Sequence, residues 1–133
     1  MTKSYIVDIE KFRDDRGDIV IFENGVNLAF EVKRVYFIRA VPPDKSRGHH
    51  AHRKLKQVLI ALNGSVSIDV SDHKGTDSYQ LDSPDKGLYL HGLAWRVLRD
   101  FSSDCVLMVL ASESFDADDY IDDHTIFLEE SSK

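Results

Sequence analysis

The sequence is poor in the residues that punctuate or cross-link a chain: one cysteine, three prolines and seven glycines in 133 residues. A lone cysteine excludes an internal disulfide and any multi-cysteine metal site. Cys105 opens the apolar run Cys105–Leu110, which favours a core thiol over a nucleophile, because that run supplies neither a base nor a cation. With 42% hydrophobic and 30% charged residues, collagen-like and low-complexity chains are excluded and a packed core is expected. No stretch approaches the roughly 20 apolar residues of a membrane span, and the first twelve residues lack the apolar run of a secretion signal. A cytoplasmic protein without membrane contact is the expectation. Excess positive charge is missing too: 17 Lys+Arg against 23 Asp+Glu leave −6, which argues against a general nucleic-acid binder. The length predicts one domain, residues 1–133.

What is present is a series of short β-branched or aromatic runs: 5–9, 18–22, 32–40, 57–62, 65–70, 78–81, 87–90, 95–100 and 105–111. Turn residues separate them, as in Glu23-Asn24-Gly25, Val41-Pro42-Pro43-Asp44 and His73-Lys74-Gly75. Asn63-Gly64 reads as the best tight hairpin. About nine short strands at this spacing predict an all-β sandwich or barrel, with a jelly roll as the leading architecture. Only the tail after Asp116 reads as helical, with Tyr120, Ile121, Ile126, Phe127 and Leu128 available for packing.

Charge is unevenly spread. Glu113, Asp116, Asp118, Asp119, Asp122, Asp123, Glu129 and Glu130 follow one another without a basic residue, the pattern of a solvated acidic surface or an acidic docking site. Lys45–Lys56 is its opposite, with five Lys/Arg, three of the six histidines and no acid. In a strand, His50 and His52 would share one face and Ala51 would point to the other. The pair reads in three ways: as part of a metal site, as acid/base groups beside an anion-binding patch of Arg47, Arg53 and Lys54, or as incidental histidines in a basic loop. By alternation Arg34, Tyr36 and Ile38 share a face, as do Gln57, Leu59 and Ala61.

The spacing Gly48-x-His50-x-His52-x4-Gln57-x6-Gly64 resembles the first cupin motif, with Gln57 where metal-binding cupins usually carry glutamate. Arg96 stands near the place of the second motif's histidine. Arg34-Val-Tyr36-Phe-Ile, Arg47-Gly-His-His50-Ala-His52-Arg-Lys54, Gln57-Val-Leu-Ile, Pro84-x-x-Gly87-Leu-Tyr89 and Asp118-Asp119-Tyr120-Ile121 together resemble the dTDP-sugar 3,4-ketoisomerases, from about residue 16 to residue 127. The resemblance implies a single jelly-roll cupin domain over 1–133, without cofactor or metal, in a homodimer with exchanged N-terminal strands. It implies action on a dTDP-4-keto-6-deoxyhexose, moving the keto group from C4 to C3 in deoxy-amino-sugar biosynthesis for surface polysaccharide such as O-antigen and lipopolysaccharide. Carried onto this chain, His50, His52 and Tyr36 become the catalytic candidates. Arg34, Arg47, Lys54, Gln57, Trp95 and Arg96 become the substrate-binding ones.

Some of these assignments have plainer alternatives. Tyr36 and Trp95 also read as core aromatics, Arg96 as an exposed cation and His91 as a loop residue. Where such relatives commonly read Gly-Leu-Tyr-Ile-Pro-Pro-x-x-Trp-His, this chain has Gly87-Leu-Tyr-Leu-His91-Gly92-Leu-Ala-Trp95-Arg96. Asp122 stands where arginine is usual. A non-catalytic nucleotide-sugar-binding cupin, a dTDP-sugar 3,5-epimerase-like enzyme and a metallocupin such as a dioxygenase are the competing functions.

Overall fold

A computed structural model describes residues 4–133. Strands are β1 (Tyr5–Asp8), β2 (Lys11–Asp14), β3 (Gly17–Val20), β4 (Arg34–Arg39), β5 (Arg47–His52), β6 (Gln57–Asn63), β7 (Val66–Asp72), β8 (Gly75–Leu81), β9 (Lys86–Leu90), β10 (Trp95–Arg99), β11 (Val106–Ala111) and β12 (Tyr120–Ile121). A 3-10 turn (Ala117–Asp119) and helix α1 (His124–Ser131) complete the C-terminal part. Two five-stranded sheets, ordered β1-β9-β6-β11-β4 and β12-β5-β10-β7-β8, face each other, while β2 and β3 pair only with one another. The jelly-roll expectation holds.

Alternation decides what enters the space between the sheets. Leu59, Ala61, Ile68, Val70, Leu88, Leu90, Leu98, Leu107 and Val109 point inward and form the main aliphatic core. At such positions a leucine-to-alanine change costs about 2–5 kcal/mol. Outside the first sheet, Val58, Ile60, Tyr89 and Leu110 are covered by Phe22, Leu28, Phe30 and Val32. Because β6 is covered on both faces, its run is apolar without a break. Outside the second sheet, Ala51, Trp95 and Ile121 pack under Phe127 of α1.

Three expectations need correction. Asn63-Gly64 does not join paired strands: β6 bonds to β9 and β11, and β7 to β8 and β10, so the turn carries the chain between sheets. Gly64 is needed there because a Cβ would crowd Ser102 Oγ and lie 2.8 Å from the Cys105 Cα, at a φ of +69°. The true two-residue hairpin is His73-Lys74, closed by the Asp72–Gly75 pair. The tail after Asp116 is helical in two pieces rather than throughout: a 3-10 turn capped by Asp116 covers Ala117–Asp119, and α1 starts only after Asp123, whose side chain accepts the Thr125 and Ile126 amides. Ile126 and Leu128 are exposed at 44% and 38%, leaving Phe127, Ile121 and the half-buried Tyr120 as the packing residues. No helix among the described residues is long and apolar enough to cross a membrane.

Candidate active site

At one end of the inter-sheet space the aliphatic core gives way to a cavity of about 390 Å³. Strands β4, β5, β6 and β10 bring Arg34, Tyr36, Arg47, His50, Gln57 and Arg96 to its wall, and Tyr120 of β12 joins them. Inward alternation accounts for Tyr36 on β4 and Gln57 on β6, as expected from their neighbours Ile38 and Leu59.

Strand β5 departs from regular alternation. Its register against β10 pairs Arg96 with His50 but Val97 with Gly48, so His49 is an extra, bulged residue. Gly48 and His49 both take positive φ, at +90° and +58°. A side chain on Gly48 would meet the Arg96 carbonyl oxygen at 2.7 Å. A regular strand would place Arg47 opposite His50; the bulge returns it to the cavity. His49 instead faces outward, its Nε2 2.7 Å from Ser46 Oγ.

Polar groups in the wall form a directed chain. Arg96 Nη1 donates to Gln57 Oε1 and its Nη2 to the Ala94 carbonyl at 3.2 Å. Gln57 Nε2 donates to Tyr36 Oη at 3.0 Å. The phenol oxygen thus accepts from the amide, which leaves its own proton free to donate into the cavity. Burial pushes the Tyr36 hydroxyl above its ordinary value. Arg96 is 3% exposed; burial lowers it to about 10, so it stays cationic at neutral pH, and its Nε has no hydrogen-bond partner.

The imidazoles of His50 and His52 lie 4.9 Å apart, edge to face, and Tyr120 packs 5.0 Å from the first and 4.3 Å from the second. His50 Nδ1 is 2.9 Å from the Gly48 carbonyl, which can only accept, so the ring proton sits on Nδ1 and Nε2 is left as a proton acceptor. Burial, and then the Arg96 charge, lowers His50 below the usual imidazole value, against the opposing hydrogen bond to the Gly48 carbonyl and the Asp122 charge. The same two leading causes hold His52 down to about 2. The histidines do not line one space together. His52 is 2% exposed and borders a small recess behind His50, with Arg34, Asp119 and Tyr120.

The structure relocates two substrate-binding candidates. Trp95 points outward from β10, against Phe127 at 5.5 Å and His124 at 4.8 Å, because its neighbour Arg96 takes the inward position. Lys54 is exposed, 3.6 Å from Asp116, and borders a separate surface groove with Lys33 and Lys56. His91 lies off the cavity wall, 6.2 Å from the Tyr89 ring. Arg34 lines the cavity, its guanidinium 5.3 Å from the Tyr36 ring centre and 5.8 Å from that of Phe115, with its Nε buried and without a hydrogen-bond partner. Tyr120 and Asp119 were absent from the candidates read from sequence, although the Asp-Asp-Tyr-Ile motif contains both. Among the described residues no group of three or more His, Cys, Asp or Glu is placed to hold a metal. The two positions that would complete a cupin metal set carry Gln57 and Arg96, which bond to each other.

Comparisons with known proteins place the chain in a family. The family model described as FdtA, WxcM-like, C-terminal, matches residues 2–132. The chain is 45% identical over 116 residues, 87% of its own length and 84% of the relative's, to a TDP-4-oxo-6-deoxy-alpha-D-glucose-3,4-oxoisomerase of Aneurinibacillus thermoaerophilus. A variant of the 3,4-ketoisomerase QdtA of Thermoanaerobacterium thermosaccharolyticum, solved with TDP-4-keto-6-deoxyglucose, superposes with a TM-score of 0.95 at 38% identity, covering 97% of this chain and 94% of that one. The WlaRB TDP-quinovose 3,4-ketoisomerase of Campylobacter jejuni gives 0.91 at 40% identity, covering 95% and 97%. By match length and by identity, this chain belongs to the FdtA family of WxcM-like C-terminal domains.

Proposed function

We propose that the protein is a 3,4-ketoisomerase that moves the carbonyl of a dTDP-4-keto-6-deoxyhexose from C4 to C3 without a metal, within one cupin domain. The observation that carries this reading is the directed chain from Arg96 through Gln57 to Tyr36, set beside the Nε2 acceptor of His50. A base removes the C3 proton, and the C3–H electron pair forms a C3–C4 double bond as O4 takes up a proton. The enediol then loses its O3 proton and gains one at C4, leaving the carbonyl at C3. Electrons balance within the substrate, so no redox partner is required. His50 serves as the acid/base group at the cavity wall, His52 packed behind it serves as the second group of the pair, Tyr36 donates to O4, and the Arg96 charge stabilises the enediolate. Arg34 and Arg47 on the cavity wall suit bidentate contacts with the diphosphate.

The protein acts as a cytoplasmic homodimer supplying deoxy-amino-sugars for surface polysaccharide. Phe12 and Ile19 face each other across the β2–β3 hairpin at 55% and 64% exposure. Edge strand β4 leaves Val35 and Phe37 open at 49% and 56%. Reciprocal exchange of the hairpins covers both apolar surfaces and the open sheet edge.

Incubation with dTDP-4-keto-6-deoxyglucose, with the product trapped by a 3-aminotransferase, should yield the 3-amino sugar. No product from either C4 epimer rejects the activity; dTDP binding without conversion would make the protein a nucleotide-sugar-binding cupin instead.

A further inference from the structure

His52 has a neighbour that the isomerisation chemistry leaves unused. Asp119, 7% exposed, closes the 3-10 turn before β12. Its carboxylate accepts the Lys54 amide at Oδ1 (2.9 Å) and the Leu55 amide at Oδ2 (3.2 Å), and its carbonyl accepts the Arg53 amide at 3.0 Å. Three successive amides clamp one residue, so this carboxylate is held in place. Its Oδ2 lies 3.8 Å from His52 Nδ1, which is fully buried and has no hydrogen-bond partner. The rings of His50 and Tyr120 pack against His52, the cations Arg96 and Arg34 act on it, and Glu113 and Asp116 border the same recess, but the contact at 3.8 Å is that of Asp119. Asp119 supplies the nearby anion.

A neutral imidazole holds one proton on either nitrogen. Beside a fixed carboxylate the Nδ1–H form gains an acceptor, whereas a lone pair on Nδ1 would face negative charge. The 3.8 Å separation is longer than a hydrogen bond, and such contacts commonly tighten when substrate fills an active site. We propose that Asp119 is a positioning residue that keeps the His52 proton on Nδ1, so that Nε2 serves as the proton acceptor. The proposal rests on the reading of His52 as an acid/base group.

Nitrogen-15 NMR of histidine-labelled protein with dTDP bound reads the tautomer directly and needs no turnover. The wild type should show His52 protonated on Nδ1. Asp119→Asn keeps the shape and an oxygen for the Lys54 amide but offers an N–H to His52, so the proton should move to Nε2. The kcat should fall by about 10²–10⁴-fold, as when the orienting aspartate of a serine-protease triad becomes asparagine, while KM and dTDP affinity change less than about threefold. In a His52→Gln background the same change should add almost nothing. Nε2 protonation in the wild type overturns the proposal, even if Asp119→Asn fails to fold. An unchanged kcat in a folded Asp119→Asn, or full additivity with His52→Gln, also overturns it. Absence of isomerase activity would reject the enzymatic reading while leaving the tautomer measurement to decide the Asp119–His52 relation.

Discussion

Arg96, a cation, is 3% exposed, whereas Phe12 and Ile19, two large apolar side chains, are 55% and 64% exposed. Both regions run against ordinary burial, by different means. Around Arg96 the chain supplies its own compensation: the Gln57 amide oxygen and the Ala94 carbonyl accept from the guanidinium, and Tyr36 extends the network. Around Phe12 and Ile19 the described residues supply none, since β2 and β3 pair only with each other. A buried charge that forms hydrogen bonds and retains a free Nε is arranged for an incoming anion; an apolar hairpin without a core is arranged for a second protein surface.

Breaking the cavity should have the largest effects. His50→Asn should lower kcat by about 10³-fold, a typical general-base loss, with dTDP affinity nearly unchanged in calorimetry. An unaltered rate removes His50 from the chemistry. Arg96→Met should lower kcat/KM by at least about 100-fold with only a small change in Tm, because the gain from removing a buried charge offsets the loss of its hydrogen bonds to Gln57 Oε1 and the Ala94 carbonyl. A marked fall in Tm would make Arg96 structural rather than functional.

Effects at the hairpin are quaternary. Asp at both Phe12 and Ile19 should halve the mass measured by analytical ultracentrifugation without unfolding the sandwich. A wild type that already sediments as a monomer ends the exchange model.

Acid sharpens the contrast further. His52 has a folded-state value depressed to about 2, so below about pH 6.5 the unfolded chain binds a proton that the folded one refuses. Its contribution to stability is therefore full above about pH 6.5 and declines on acidification, by at most about 1.4 kcal/mol per pH unit, in denaturant titrations. The depressed His50 keeps its acceptor nitrogen in the same range, so the acid limb of kcat/KM should lie below about pH 6.5. The smallest effect belongs to Trp95→Phe: kcat/KM within about twofold and a loss of roughly 1–2 kcal/mol, since the ring packs under α1. A large rise in the KM for the dTDP-sugar would return Trp95 to the site.

Much of the site was legible from local pattern. His50, His52 and Ala51 alternate as a strand requires, and so do Tyr36 with Ile38 and Gln57 with Leu59, because these positions obey the period of two. Arg47 stands out by its charge and by the family motif; its entry into the cavity depends on a bulge that alternation does not contain. Lys54 lies off the cavity wall because basic residues adjacent in sequence diverge where the chain turns out of β5. Trp95 and Arg96 show how close the choice is: on β10 one of two neighbours must face in, and the cavity receives the cation because the Gln57 and Ala94 oxygens are there to accept it.

The sequence by itself determined the elements and their inward faces, since side-chain periodicity and turn chemistry act within a few residues. It also determined the family, through motifs spread along nearly the whole chain. The tertiary structure decided which inward-facing residues meet. Asp119 reaches His52 only because the turn after β11 is drawn onto the amides of Arg53, Lys54 and Leu55, some 65 positions away in sequence for Lys54. Such a contact follows from the closing of two sheets on each other, and no local pattern encodes it.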